Sequence, residues 1–255
     1  MIVAAGRGSR FGAPKPKQYV HICGQTLLQL SVARLATSTY IDHCLLVIAA
    51  DDTRAQTLAF AMPVSFTQGG AERWQSVHLG VDAIIKQGAD DDDLILIHDA
   101  ARPSVPTADI ERVIVAAMSE PYGAILAVPA ADTLKQSQKI DNPLLSNHLL
   151  NNHFLTSTNR SISDHSKNDS YYTQATIDRS CIWQAQTPQV FRLGQLREVL
   201  SQVAKHNFNI TDEASAFEQL NLPIRLVSGS RQNIKLTFPD DALLITAIIN
   251  MQVNY

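Results

Sequence analysis

The chain alternates short apolar runs with segments whose apolar residues recur at helical spacing. Met1, Ile2 and Val3 make a first apolar run. Over 25–36, Leu27, Leu28, Leu30, Val32, Ala33 and Leu35 suit a buried or amphipathic helix. The run CLLVIAA at 44–50 is apolar throughout, as in a strand covered on both faces. A short helix is predicted over 53–60, a weak strand over 64–66, and a helix over 72–85 carrying Trp74, Val77, Val81, Ile84 and Ile85. A second buried strand follows at 94–97. Thr107 is placed as the N-cap of a helix reaching Met118, and 124–128 reads as another strand. This βα alternation predicts an α/β fold, a mostly parallel sheet with helices on both faces.

The texture then changes. From about 136 to 176 there is no helical period and little apolar content, and asparagines mix with serines and histidines. Such a stretch buries little and predicts a mobile loop or extended arm. The globular pattern resumes at Ile177. Helices are predicted over 193–204 and from Thr211, a candidate N-cap; a strand over 224–227; and a last helix opening at Pro239, where a missing N–H costs nothing.

Composition narrows the function classes. A chain of 255 residues, 45% hydrophobic and 18% charged, has ample material for one sizeable core. Its net charge of −3 includes no basic block, which argues against a nucleic-acid partner. No apolar run is long enough to span a membrane, and no signal pattern opens the chain, so a cytoplasmic protein is expected. Cys23, Cys44 and Cys181 are widely spaced, which predicts ordinary buried thiols and neither a zinc site nor a disulfide framework.

The candidate chemistry starts where the first run ends. Ala4-Ala5-Gly6-Arg7-Gly8-Ser9-Arg10 leads through Phe11-Gly12 to Lys15-Pro16-Lys17. Small residues let backbone N–H groups approach an anion, and four cations match a polyphosphate. Gly6 and Gly8 fit a dinucleotide fingerprint, but Phe11 stands at its third glycine, and the Gly-Lys-Ser/Thr of a P-loop is absent. A plain glycine-rich turn with surface cations is the alternative.

Three later segments shift the balance. His98-Asp99-Ala100-Ala101-Arg102-Pro103 follows a strand directly, where open α/β sheets bind ligands. There Asp99 is suited to a Mg²⁺ or another divalent cation on phosphates, and Arg102 to a phosphate of a second substrate. A turn-capping Asp99 and a surface Arg102 are the alternatives, and His98 reads as strand-end packing. Gly69-Gly70 opens a helix, with Ser76 one turn in, placed to read a base edge. Asn233-Ile234-Lys235-Leu236-Thr237 reads as a β-like run whose lysine either faces an anion or marks an edge strand. The acidic run 90–93 reads as a solvated loop.

Taken in order, AAGRGSRFG with PKQY, GGAERWQSV, HDAARP, Asp132-Thr133, Asp178-Arg179, QTPQ, TDEASA and NIKLT resemble the 2-C-methyl-D-erythritol 4-phosphate cytidylyltransferases of the nonmevalonate isoprenoid pathway. The segments span nearly the whole chain. Ribitol-5-phosphate cytidylyltransferases resemble it too, but typically carry AGG, HDSVRP and TDA-C where this chain has AAG, HDAARP and TDEAS.

The resemblance implies a Rossmann-like nucleotidyltransferase fold of one domain over 1–255. It also implies an arm at about 132–179 for dimerisation, with the Asn/Ser-rich stretch at about 138–175 as an insertion at its tip. It implies CTP, methylerythritol phosphate and Mg²⁺ as reactants, with Arg10 and Lys17 as the catalytic cations. Ala4, Ala5, Gly6, Gly8, Gly70, Ser76, Ala100 and Lys235 would bind the nucleotide. Asp99, Arg102, Thr211 and Lys235 would bind the second substrate. Thr133 and Arg179 would reach that site from the neighbouring subunit of a homodimer. Choice of cytosine as the base rests on the resemblance, since neither Ser76 nor Ala71 selects it.

Two departures stand out. Relatives usually have several more residues before the AAG motif, so the first strand is expected to be shortened or to start upstream, and half a central strand lost would cost roughly several kcal/mol. Ala71 stands where many relatives have Asp. Both departures motivate a second hypothesis, a CTP-binding module without catalysis.

Overall fold

The computed structural model describes residues 1–6, 16–139 and 171–253. They fall into two compact units, one of 1–128 with 184–255 and one of 129–183. In chain order the strands and α-helices are β1 (Ile2–Val3), β2 (His21–Ile22), β3 (Gln25–Thr26), α1 (Leu27–Leu35), β4 (Cys44–Ile48), β5 (Val64–Gln68), α2 (Arg73–Lys86), β6 (Leu94–Asp99), α3 (Thr107–Met118) and β7 (Gly123–Pro129). There follow β8 (Leu134–Lys139), β9 (Tyr171–Ile177), β10 (Trp183–Arg192), α4 (Leu193–His206), α5 (Glu213–Gln219), β11 (Arg225–Ser228) and α6 (Asp241–Val253).

The first unit is built on a seven-stranded sheet ordered β11-β7-β10-β6-β1-β4-β5. β1 pairs parallel with β4 and β6, β4 with β5, and β7 with β11, while β10 runs antiparallel to β6. The expected mostly parallel α/β sheet is therefore present. Helices cover both faces, and the alternation along each strand separates the two cores. Ile2, Cys44, Leu46 and Ile48 pack with α1 and α3 through Leu28, Val32, Ile110 and Val113. Leu45, Val47, Ile95 and Ile97 pack with α2, α4 and α5 through Val77, Val81, Leu196, Leu200 and Phe217. Double coverage is why β4 reads as an unbroken apolar run. β1 is short, yet Ile2 and Val3 have strand partners on both sides, and the amino group of Met1 donates to Leu96 O at 2.7 Å.

Phe217 anchors α5. It stacks on Phe191 of β10 at a centroid distance of 5.0 Å, and both are fully buried. Burial of such a side chain is worth about 1.5–3 kcal/mol, against about 0–1 for an exposed ion pair, so this contact fixes the helix. Glu213 lies one turn before Phe217 on the same inward face.

Several expectations need correction. The segment 53–60 is no helix: it holds a single 3-10 turn, Ala55–Thr57. The N-caps sit one residue from the expected ones. Pro106 precedes a helix that already includes Thr107, and Asp212, not Thr211, caps α5 through a reciprocal box with Ser215. Carboxylate and hydroxyl exchange bonds with two backbone donors there, which a lone threonine cannot match. The 233–237 run forms no strand; Asn233 Nδ2 instead donates to Thr187 O at 2.8 Å, and Leu236 N to Ala101 O at 2.8 Å. The last helix begins at Asp241, two residues after Pro239. β10 carries the QTPQ segment in the sheet interior, although polar residues and a proline argue against a central strand. Cys44 alone of the three thiols is buried; Cys23 and Cys181 are exposed.

In the second unit, β8 and β9 form an antiparallel ladder from Leu134↔Ile177 to Lys139↔Tyr171. Both ends of the stretch expected as a mobile loop or extended arm are thus strands. The Thr and Tyr residues of β9 favour pleated pairing without burial. Of the insertion expected at about 138–175, residues 138–139 and 171–175 belong to β8 and β9, and 140–170 lie outside the described residues.

Candidate active site

Three strand ends meet at one cleft. β1 leads into Ala4, Ala5 and Gly6. Ala4 N donates to Val47 O at 2.8 Å, and the buried Gln18 donates Nε2 to Ala4 O at 2.8 Å. A 3-10 turn at Lys17–Tyr19 brings Lys17 to the cleft. The turn is tied down by Tyr19, whose hydroxyl donates to Asp52 at 2.6 Å while the Arg54 guanidinium lies 4.6 Å from its ring centre. β5 leads into Gly69-Gly70. A Cβ at Gly69 would lie 2.5 Å from Ala5 Cβ and 2.7 Å from Ser76 Oγ, so only glycine lets these two loops touch. β6 ends at Asp99.

The cleft has a volume of about 440 Å³ and is lined by the predicted Ala4, Ala5, Gly6, Lys17, Gly70, Ser76, Asp99, Ala100 and Lys235. It opens at the carboxyl ends of β1 and β6, beside the strand where the sheet order reverses direction, where α/β sheets bind ligands. A second cavity of about 390 Å³ opens at the other end of the strands, at Leu45, Leu94 and Ile95, away from every predicted site residue.

Charge concentrates on Asp99, whose side chain is 12% exposed. Lys235 Nζ lies 2.6 Å from Oδ2 and Arg73 Nη2 lies 3.2 Å from Oδ1. Burial alone would raise this carboxyl's pKa, but Arg73 and then Lys235 outweigh it and hold the group far below the ordinary carboxylate range. The other arm of Arg73 bonds Glu213, which has no exposure. Burial pushes Glu213 upward against the pull of Arg73. Arg73 loses to burial and gains more from Glu213 and Asp99, so it stays charged.

A directed hydrogen-bond chain supports the end of β6. His98 Nε2 lies 2.9 Å from Arg102 O, an acceptor only, so Nε2 carries the proton. Burial lowers the His98 pKa to about 4, which keeps the ring neutral and makes Nδ1 an acceptor. Thr187 then donates its hydroxyl to Nδ1 at 3.0 Å and accepts from Asp99 N at 3.0 Å. His98 is a buried packing and bonding residue.

The remaining predicted residues are placed as follows. Ser76 is 2% exposed and bonds within its own loop, accepting from Gly70 N at 3.1 Å and donating to Glu72 O at 3.1 Å. Its hydroxyl shapes the Gly-Gly turn. Arg102 donates Nη1 to Asn233 O at 2.7 Å, and its buried Nε has no hydrogen-bond partner among the described residues. Thr211 is exposed beside α5, its N–H bonded to Ser215 Oγ at 3.0 Å. Thr133 and Arg179 are exposed residues of the second unit, before β8 and after β9. Gly8, Arg10, Arg7 and Lys15 lie outside the described residues. The acidic run is a surface loop in which Asp91 pairs with Arg197 at 2.8 Å. Three site residues were given no role from sequence: Arg73, Glu213 and Thr187. Each stands inside a segment already singled out, where a charged or hydroxyl residue beside a glycine turn or a strand end was the available signal.

The family model for 2-C-methyl-D-erythritol 4-phosphate cytidylyltransferase matches residues 1–144 and 161–251. Relatives of that name from Psychrobacter cryohalolentis and Psychrobacter arcticus are 63% and 64% identical, each covering 99% of this chain and 92% and 91% of their own length. A crystal structure of 4-diphosphocytidyl-2C-methyl-D-erythritol synthase superposes with a TM-score of 0.74 at 33% identity, covering 97% of this chain and 96% of its own. The Francisella tularensis 2-C-methyl-D-erythritol 4-phosphate cytidylyltransferase gives 0.73 at 28%, covering 97% of both chains. With its strand-end cleft and ordered motifs matched over nearly its whole length, the chain belongs to the 2-C-methyl-D-erythritol 4-phosphate cytidylyltransferase family.

Proposed function

We propose that this protein transfers a cytidylyl group from CTP to 2-C-methyl-D-erythritol 4-phosphate, giving 4-diphosphocytidyl-2-C-methyl-D-erythritol and pyrophosphate. The observation that carries this reading is the cleft at the ends of β1 and β6, with Gly6, Gly70 and Lys17 on its walls. Small residues at 4–6 leave room for phosphates against the backbone.

A phosphate oxygen of the acceptor attacks the α-phosphorus, one P–O bond forms, and the bond to pyrophosphate breaks with its electron pair on the leaving oxygen. The chain needs no covalent intermediate, so its work is positioning and charge stabilisation. Lys17 and Arg10 meet the charge that grows on the α-phosphate and the leaving group. Lys235 holds nucleotide phosphates, and Arg102 is assigned to the acceptor's phosphate. Thr133 and Arg179 complete that site from the partner of a homodimer.

Among the described residues no three His, Cys, Asp or Glu side chains converge as a metal cage. The donor set does fit a Mg²⁺ held mainly by triphosphate oxygens. Asp99 is the cleft-wall carboxylate at the end of β6, and each of its oxygens keeps a lone pair beyond the one given to Arg73 or Lys235. Such an ion would screen the triphosphate's negative charge.

The test is pyrophosphate release from CTP and methylerythritol phosphate with Mg²⁺. Turnover is expected; none with any tetritol or pentitol phosphate would overturn the reading, and calorimetric CTP binding without turnover would favour a binding module instead.

A further inference from the structure

The two cations on Asp99 are held in different ways. Arg73 opens α2, and its guanidinium spans two carboxylates, Nη1 on Glu213 and Nη2 on Asp99. Glu213 is fully buried, on the inward face of α5 that Phe217 anchors. Its Oε2 has no hydrogen-bond partner among the described residues, so the side chain is committed to Arg73. Lys235 stands outside any helix or strand, is 39% exposed, and ends a flexible stem at the cleft. One cation is clamped and the other is able to turn.

A triphosphate entering the cleft competes with Asp99 for the Lys235 ammonium. An Asp99 left uncompensated would repel it. We propose that Glu213 is a positioning residue: it fixes Arg73 as the standing counter-ion of Asp99, so that Lys235 can turn to the incoming phosphates. This inference rests on the nucleotide reading above. The residue types fit the division. A planar guanidinium can bridge two fixed carboxylates, whereas a lysine is a single point charge on a mobile stem.

The wild-type protein provides the first test. Side-chain ¹⁵N NMR during titration with CTP is expected to move the Lys235 ammonium signal and leave the Arg73 guanidinium signals in place. Movement of Arg73 with Lys235 unchanged would overturn the inference. Glu213→Gln and Arg73→Lys provide the second. Each is expected to raise KM for CTP about tenfold or more with a smaller change in kcat. A merely structural loss would lower the active fraction, and so kcat, at constant KM; that result in whichever variant folds overturns the inference. Failure of wild type to bind CTP at all would remove the nucleotide reading and this inference with it, whereas normal turnover with unchanged KM in the variants removes the inference alone.

Discussion

Thr187 Oγ1 lies 3.0 Å from the backbone nitrogen of Asp99, so a buried hydroxyl on β10 holds the end of β6 in place. Thr187→Val keeps the shape and removes both bonds, leaving Asp99 N–H and His98 Nδ1 unpaired in the interior. Each such group costs about 1–3 kcal/mol. With two such groups, urea denaturation is expected to show a loss of about 2–6 kcal/mol, with Thr187→Ser staying within about 1 kcal/mol of wild type. A valine variant as stable as the serine one would show that the hydroxyl does not make these bonds.

His98 makes stability depend on pH. Its folded pKa, about 4, lies below the ordinary 6.5 because burial disfavours the imidazolium. Between those values the unfolded chain holds the extra proton and the folded chain does not, so stability rises with pH there and falls on acidification. The contribution is complete above about pH 6.5 and is lost on descent to about pH 4, at most roughly 3 kcal/mol. Asp99, depressed much further, adds its own loss only below the ordinary carboxylate range. Stability measured from pH 7 to 4.5 is expected to drop in wild type, and less steeply in His98→Gln. Equal slopes would place the titrating group elsewhere.

What the sequence made legible was local and periodic. β4 and the helices α1 to α4 announce themselves because each buries one repeating set of apolar side chains, and two-face coverage turns a strand into an apolar run. β10 was not legible. Its Gln186, Thr187 and Gln189 are buried through side-chain bonds to Ser230, His98 and Asp212, contacts that local pattern does not encode. The same reason hid the Asp99 cluster. Asp99 itself was found from its place after a strand, but Arg73 and Glu213 are 140 positions apart and meet only once α2 and α5 pack on the sheet. Ser76 is legible as a hydroxyl near a glycine turn, but such a group looks alike in sequence whether it faces a base or the turn's own N–H, and its bond to Gly70 N appears only in the fold.

Gly69 is a sensitive point in the cleft's frame. Its substitution by alanine forces a methyl to within 2.5 Å of Ala5 Cβ and 2.7 Å of Ser76 Oγ. Neither neighbour is the far end of a flexible chain, so one loop must retreat. The lining at Ala5 and Gly70 moves with it. CTP affinity is expected to fall about tenfold or more in Gly69→Ala, by calorimetry. Gly88→Ala makes a useful contrast: its glycine stands at positive φ in open space, so strain there should lower stability and leave CTP affinity alone. Wild-type affinity in Gly69→Ala would mean that the two loops are not in contact when nucleotide binds.

The cations of the cleft separate by the stage at which each acts. Lys235 touches Asp99 before any nucleotide arrives and is assigned to ground-state phosphate binding, so Lys235→Ala is expected chiefly to raise KM for CTP. Lys17 lines the same cleft, next to Gln18, whose side chain bonds Ala4 O, and with Arg10 is assigned to charge that appears only in the transition state. Lys17→Ala and Arg10→Ala are each expected to lower kcat at least about 10²-fold, with smaller effects on KM. Steady-state kinetics with CTP varied at saturating acceptor phosphate separates the two cases. A Lys17 variant with unchanged kcat and a raised KM would move that lysine to the binding side and leave Arg10 as the cation at the reacting phosphorus.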